Sequence, residues 1–96
     1  MFYNMVVDIP ILNSKPVKVG NSHYFFIPYQ YVKNMLVDPK ELYDVRVDRK
    51  ASVPLVLEKR KVSYNVGSYM VLIDYKFIED KKISPSKKYS IFLNKV

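Results

Sequence analysis

Residues 17–47 read VKVGNSHYFFIPYQYVKNMLVDPKELYDVRV and residues 63–93 read SYNVGSYMVLIDYKFIEDKKISPSKKYSIFL; a shift of 46 positions lays one over the other without a gap. Under that shift Ser22 meets Ser68, Ile27 meets Ile73, Tyr29 meets Tyr75, Pro39 meets Pro85 and Tyr43 meets Tyr89. Between these identities Phe25/Val71, Phe26/Leu72, Tyr31/Phe77, Val32/Ile78, Val37/Ile83, Val45/Ile91 and Val47/Leu93 match apolar with apolar. Few identities on a shared hydropathy pattern are what an old internal duplication leaves behind. Lys81 and Lys82 stand where the first copy has Met35 and Leu36, which predicts a more exposed helix end in the second copy.

Each copy parses the same way. A short β segment (15–19; 60–65) leads through a tight turn, Gly20-Asn21-Ser22 or Gly67-Ser68, into a strand rich in aromatic and β-branched residues (23–27; 69–73). A helix follows. In the first copy Pro28 suits a helix's first turn, and Tyr31, Val32, Met35 and Leu36 fall on one face. In the second, Asp74 suits an N-cap for a helix that turns Phe77 and Ile78 inward. Asp38-Pro39 and Ser84-Pro85 are expected to stop the helices, because the residue before proline is driven from the α region. Val45-Arg46-Val47 and Ile91-Phe92-Leu93 read as strands.

The first copy continues into a further strand, 53–57, whereas the second has reached Val96. The unmatched strand-like residues are at the other terminus, Met5 to Leu12. A fourth strand for the second copy would fall at 99–103, which becomes 7–11 after two repeat lengths are subtracted. The expectation is therefore one domain over 1–96, with repeat one at about 13–57, repeat two at about 59–96, and 5–12 completing repeat two. The fold class expected is mainly β with two short helices (α+β), closed into a barrel by the duplication.

Composition narrows the possible functions. A chain of 96 residues suits one core, and no apolar run approaches the roughly 20 residues of a membrane helix. No basic n-region opens the chain, so a cytoplasmic location is expected. With no Cys and one His, His23, disulfides and thiolate metal sites are excluded, no metal or other cofactor is called for, and no nucleophile–base pair suggests an enzyme. The net charge of +7 favours a polyanionic partner and is carried by one half: residues 1–48 hold five Lys/Arg and five Asp/Glu, residues 49–96 eleven and four.

Lys18-Val19-Gly20-Asn21-Ser22, then Ile27-Pro28, a helix, Val37-Asp38-Pro39 and Val45-Arg46-Val47 resembles the AbrB/SpoVT/MazE family of swapped-hairpin DNA-binding domains over about residues 15–57. The second copy is similar through Gly67-Ser68, Ile73, Pro85 and its last strand. The resemblance implies two interleaved hairpins in one barrel, here an intramolecular pseudo-dimer, with room for a further homodimer. It also implies that the turns and flanking strands dock on the major groove of double-stranded DNA. Lys18 then corresponds to a basic residue before the turn, and Asn21 and Ser22 to turn residues near phosphates. The family's basic residue before Ile-Pro is Phe26 here and Leu72 in the second copy, a departure at the usual base-reading position.

The residues themselves add Lys15, Lys59, Arg60 and Lys61 as phosphate neutralisers, with Ser68 in the second turn. Arg60 is the candidate for a bidentate guanine contact, and Asn21 and Asn65 for adenine. A solvated strand link accounts equally for Lys59-Arg60-Lys61 taken alone. Lys81-Lys82 needs no ligand, since cations suit a helix C-terminus. Tyr24, Phe25, Phe26, Tyr29 and Tyr31 are expected in the core rather than as a stacking platform. The function expected is a sequence-specific DNA-binding regulator; the alternative is a protein-binding module, antitoxin-like or otherwise. The absence of a long tail after the last strand counts against the antitoxin form.

Overall fold

The computed structural model describes residues 8–50 and 52–96. Its elements in chain order are β1 (Ile9–Ser14), β2 (Val17–Val19), β3 (Ser22–Ile27), α1 (Tyr29–Lys33), β4 (Leu42–Asp48), β5 (Leu55–Asn65), β6 (Ser68–Ile73), α2 (Tyr75–Glu79) and β7 (Tyr89–Lys95). The protein is mainly β, with two short helices. The seven strands make one curled antiparallel half-barrel sheet in the order β1-β7-β4-β5-β6-β3-β2. β5 serves both halves of it: the stretch from Leu55 to Lys61 pairs with β4, and Val62 to Asn65 with β6. β1 and β2 are the two edges, yet only Lys15 and Pro16 separate them in the chain, which thus passes from one edge of the sheet to the other.

The strand pairing repeats under the 46-residue shift. Ile9 pairs with Leu93 as Leu55 pairs with Val47, Ile11 with Ile91 as Leu57 with Val45, and Ser14 with Tyr89 as Arg60 with Tyr43. At the centre of one half of the sheet Arg46 faces Phe92, and at the centre of the other Phe25 faces Val71. Each of these two facing pairs is 46 residues apart. The core follows the same rule: of the fifteen residues in the buried cluster, fourteen form seven such pairs, from Ile11/Leu57 to Val47/Leu93. Only Val62 lacks an apolar cluster partner, and its counterpart Pro16 is buried as well. The two tyrosines of the core pin the chain after each helix, since Tyr43 Oη accepts from the Asp38 N–H and Tyr89 Oη from the Ser84 N–H, both at 2.7 Å.

The helices are shorter than the sequence pattern suggests, and proline does not end them. Each stops at a residue in the left-handed region, Met35 (φ 63°) or Lys81 (φ 59°). There the Leu36 N–H donates to the Tyr31 carbonyl and the Met35 N–H to Val32, matched by Lys82 to Phe77 and Lys81 to Ile78. This is the hydrogen-bond pair of a Schellman motif, which satisfies the last carbonyls of a helix. As a result Met35 (87% exposed) and Leu36 (55%) leave the face they were expected to share with Tyr31, and the second helix end is not distinctively exposed. Val37 and Ile83 enter the core in their place. Pro28 is the N-cap rather than part of the first turn, and Asp74, an N-cap as expected, makes no capping bond with its side chain.

Two further expectations change. The segments read as separate strands at 53–57 and 60–65 form the single strand β5, which stays continuous across Lys59 by a bulge at φ 51°. Asn13 (φ 55°) makes the matching irregularity in β1. The strand expected at 5–12 is described from Ile9 and pairs with β7; its first three positions lie outside the described residues. Of the five aromatic residues assigned to the core, Phe25 is fully buried and Tyr31 packs against the cluster, but Phe26 is 38% and Tyr29 63% exposed.

Candidate nucleic-acid interface

Strand alternation decides which side chains can act together. In β3 and β6 the core takes Phe25, Ile27, Val71 and Ile73, so Tyr24, Phe26, Met70 and Leu72 belong to the outer face. Pairing extends that face to Val17 beside Tyr24, Val19 beside Ser22, Ser63 beside Met70, and Asn65 beside Ser68. Lys61, two residues before Ser63, is exposed on the same side. Lys15 is exposed in the link between β1 and β2 and lines a groove together with Phe26. Under the 46-residue shift Lys15 is the counterpart of Lys61, and Ser22 of Ser68. Five of the expected contacts thus border one face: Lys15 with Lys61 and Ser22 with Ser68 at matched positions, and Asn65 opposite Ser68.

The remaining four are placed differently. Lys18 pairs with His23 on the face opposite Val17 and Val19. Its counterpart pair, Tyr64 and Tyr69, makes an edge-to-face contact at 4.9 Å. Asn21 is exposed at the tip of the first turn. Lys59 sits in the β5 bulge, its backbone N–H held by Asp44 Oδ1 at 2.9 Å. Arg60, expected to offer an open fork, has it filled: Nη1 lies 2.9 Å from Asp74 Oδ1 and Nη2 3.1 Å from Oδ2. The fork is engaged within the chain because Asp74, freed from capping, sits across from it, and a guanine contact would require this pair to open. Among the described residues the buried Arg60 Nε has no partner.

The Arg60–Asp74 pair also makes the halves unequal. Its counterparts are Ser14 and Pro28, too short to meet, and a groove of about 420 Å³ opens there between Leu12, Lys15, Phe26, Tyr29 and Tyr69. No known family model, curated protein or solved structure matches this chain. The feature that sequence reasoning underweighted is the apolar centre of the outer face: Phe26 and Leu72 are 38% and 37% exposed, and Met70 between them is fully buried. Alternation in β3 and β6 carried the signal, since Tyr24-Phe25-Phe26-Ile27 and Met70-Val71-Leu72-Ile73 are apolar at every position and thus greasy on both faces. Among the described residues no group of three or more potential ligands could hold a metal ion, and no helix is long and apolar enough to cross a membrane.

Proposed function

We propose that this protein is a non-enzymatic regulator that binds double-stranded DNA through the outer face of β2, β3, β6 and the second part of β5. The swapped-hairpin duplication of the AbrB-like kind is part of that reading. The observation that carries it is the pairing register, which repeats at 46 residues and gives two matched hairpin tips, Gly20-Asn21 and Val66-Gly67, flanked by Lys15 and Lys61. Two equivalent tips suit the dyad of a duplex site, and lysines at the rim neutralise phosphates. Unequal halves imply an imperfect palindrome. The test is selection of bound sequences from random duplexes at two salt concentrations. Enrichment of a motif that is lost with Lys15→Glu and Lys61→Glu supports the reading, and salt-sensitive retention without any motif contradicts sequence specificity.

A second reading has its own observation. Where the resembled family places a base-reading cation, Phe26 and Leu72 put apolar surface, and exposed apolar patches mark partner contacts. On that reading the face docks a protein, and random duplexes return no enriched motif.

A further inference from the structure

A second groove lies elsewhere. It has a volume of about 1230 Å³ and runs between Asp48 at the end of β4 with Arg49, Lys50, Ser52 and Pro54 beyond it, and the chain from the end of α2 to the start of β7. Six cationic residues line it: Arg49 and Lys50 from the first segment, Lys81, Lys82, Lys87 and Lys88 from the second. It shares no residue with the set on the outer face of β3 and β6. Its one lining carboxylate, Asp48, is engaged by Arg46 Nε at 3.1 Å. Arg49 donates to the Val53 carbonyl from Nε at 3.0 Å and holds the loop in shape. Among the described residues, none of the five lysines has a carboxylate within ion-pair distance.

Helix C-terminal electrostatics was sufficient reason for Lys81 and Lys82 in the sequence. It does not explain why Lys50, Lys87 and Lys88 converge on the same groove. The positions matching Lys81, Lys82, Lys87 and Lys88 are Met35, Leu36, Glu41 and Leu42, so these four cations have no cationic counterpart in the other half. Holding this many like charges around one concavity is unfavourable unless an anion is shared among them. Ser52, Ser84, Ser86 and Ser90 add hydroxyl donors along the same path. A flat anionic bilayer would reach only the rims of such a channel, whereas a chain of phosphates can lie in it.

We propose that this groove holds a phosphodiester backbone of nucleic acid, bound without base readout. Of the two rings that line it, Tyr89 is buried and Phe92 is capped by the Arg46 guanidinium at 4.4 Å, so neither offers a free face for stacking and contact is restricted to phosphates. Single strands and duplexes present the same chemistry, and the probes separate them.

The experiment measures fluorescence anisotropy of the full chain with a labelled oligothymidine and a labelled random duplex, at about 50 and about 200 mM salt. For about five phosphate contacts, affinity falls roughly 100-fold across that range for the single strand and roughly 500-fold for the duplex. Lys81, Lys82, Lys87 and Lys88 changed together to Glu should weaken binding at low salt by at least roughly 10-fold and flatten the salt slope. The four Lys→Gln changes should have a smaller effect in the same direction, and thermal melting of both variants verifies folding. Lys15→Glu with Lys61→Glu leaves the groove intact and tests the sheet face separately. Unchanged affinity in both groove variants, or no binding of either probe by the natural protein, overturns the inference. Loss only in the Lys15/Lys61 variant overturns it while leaving the sheet-face reading standing.

Discussion

Among the described residues, five other than glycine hold a positive φ, and Val66 at 49° is the least comfortable of them. A β-branched side chain in the left-handed region is a true outlier, and the hairpin turn between β5 and β6 needs that conformation at Val66 and at Gly67. Val66 is 82% exposed, so no packing compensates it. Val66→Asn should therefore stabilise the fold by about 1 kcal/mol, a rise of roughly 4–8 °C in melting temperature. Met35→Gly acts on the end of α1 by the same logic and should raise the melting temperature in the same sense. An unchanged melt in both variants would mean the positive φ costs nothing here. Arg60 and Asp74 call for a double-mutant cycle in place of a single deletion, because side chains about one-fifth and one-third exposed are partly screened. Arg60→Gln and Asp74→Asn should couple by about 1 kcal/mol in denaturant unfolding, and simple additivity would mean the pair contributes nothing.

Among the strands, β1 has the least local support. It is an edge strand whose pairing partner, β7, is at the far end of the chain, and it supplies Ile11 to the core. Removing residues 1–11 takes away that contribution along with the β1–β7 hydrogen bonds, and the truncated chain is expected to lose its cooperative melting transition. A sharp transition near the natural temperature would refute this. The strands were legible in the sequence because alternation in Tyr43-Asp44-Val45-Arg46-Val47 is strict, and the repeat carried the assignment over to Tyr89-Ser90-Ile91-Phe92-Leu93, where Phe92 interrupts it. The helix ends were not legible: Met35 and Leu36 keep helical spacing with Tyr31, and nothing in their side chains announces a Schellman stop that usually takes glycine. The unbroken β5 was hidden for a similar reason, since a bulge at Lys59 shifts the phase of its burial pattern between Leu57 and Val62. In the candidate interface, exposed lysines were readable from charge alone, whereas the commitment of Arg60 to Asp74 depends on a contact across fourteen positions that only the fold creates.

At the scale of the molecule, matched pairing has produced an unmatched surface. The two halves share their core positions, yet one carries the Arg60–Asp74 pair and Lys81, Lys82, Lys87 and Lys88, and the other carries Ser14, Pro28 and Met35, Leu36, Glu41 and Leu42 at the matching positions. Packing constrains the inward side chains of both halves alike, while the outward ones are not so constrained. The ends of the described chain also lie together: Ile9 pairs with Leu93, and Asn94 Nδ2 donates to Asp8 Oδ1. A circular permutant that joins Val96 to Asp8 through a short Gly-Ser linker and opens at Ser52 should fold with a melting temperature within a few degrees of the natural order. A molten or aggregated permutant would show that chain order, and not pairing alone, supports the fold.

The pairing of β1 with β7 also sets a timetable. β1 is the first described strand to leave the ribosome and its partner is the last, so during synthesis Ile9 and Ile11 must wait until nearly every other strand exists. Contacts of such long sequence separation close slowly, because loop entropy is lost before the contact returns any free energy. A nascent chain arrested before Tyr89 is left with an unpaired apolar strand and an open core, the state in which a small β protein is most prone to aggregate.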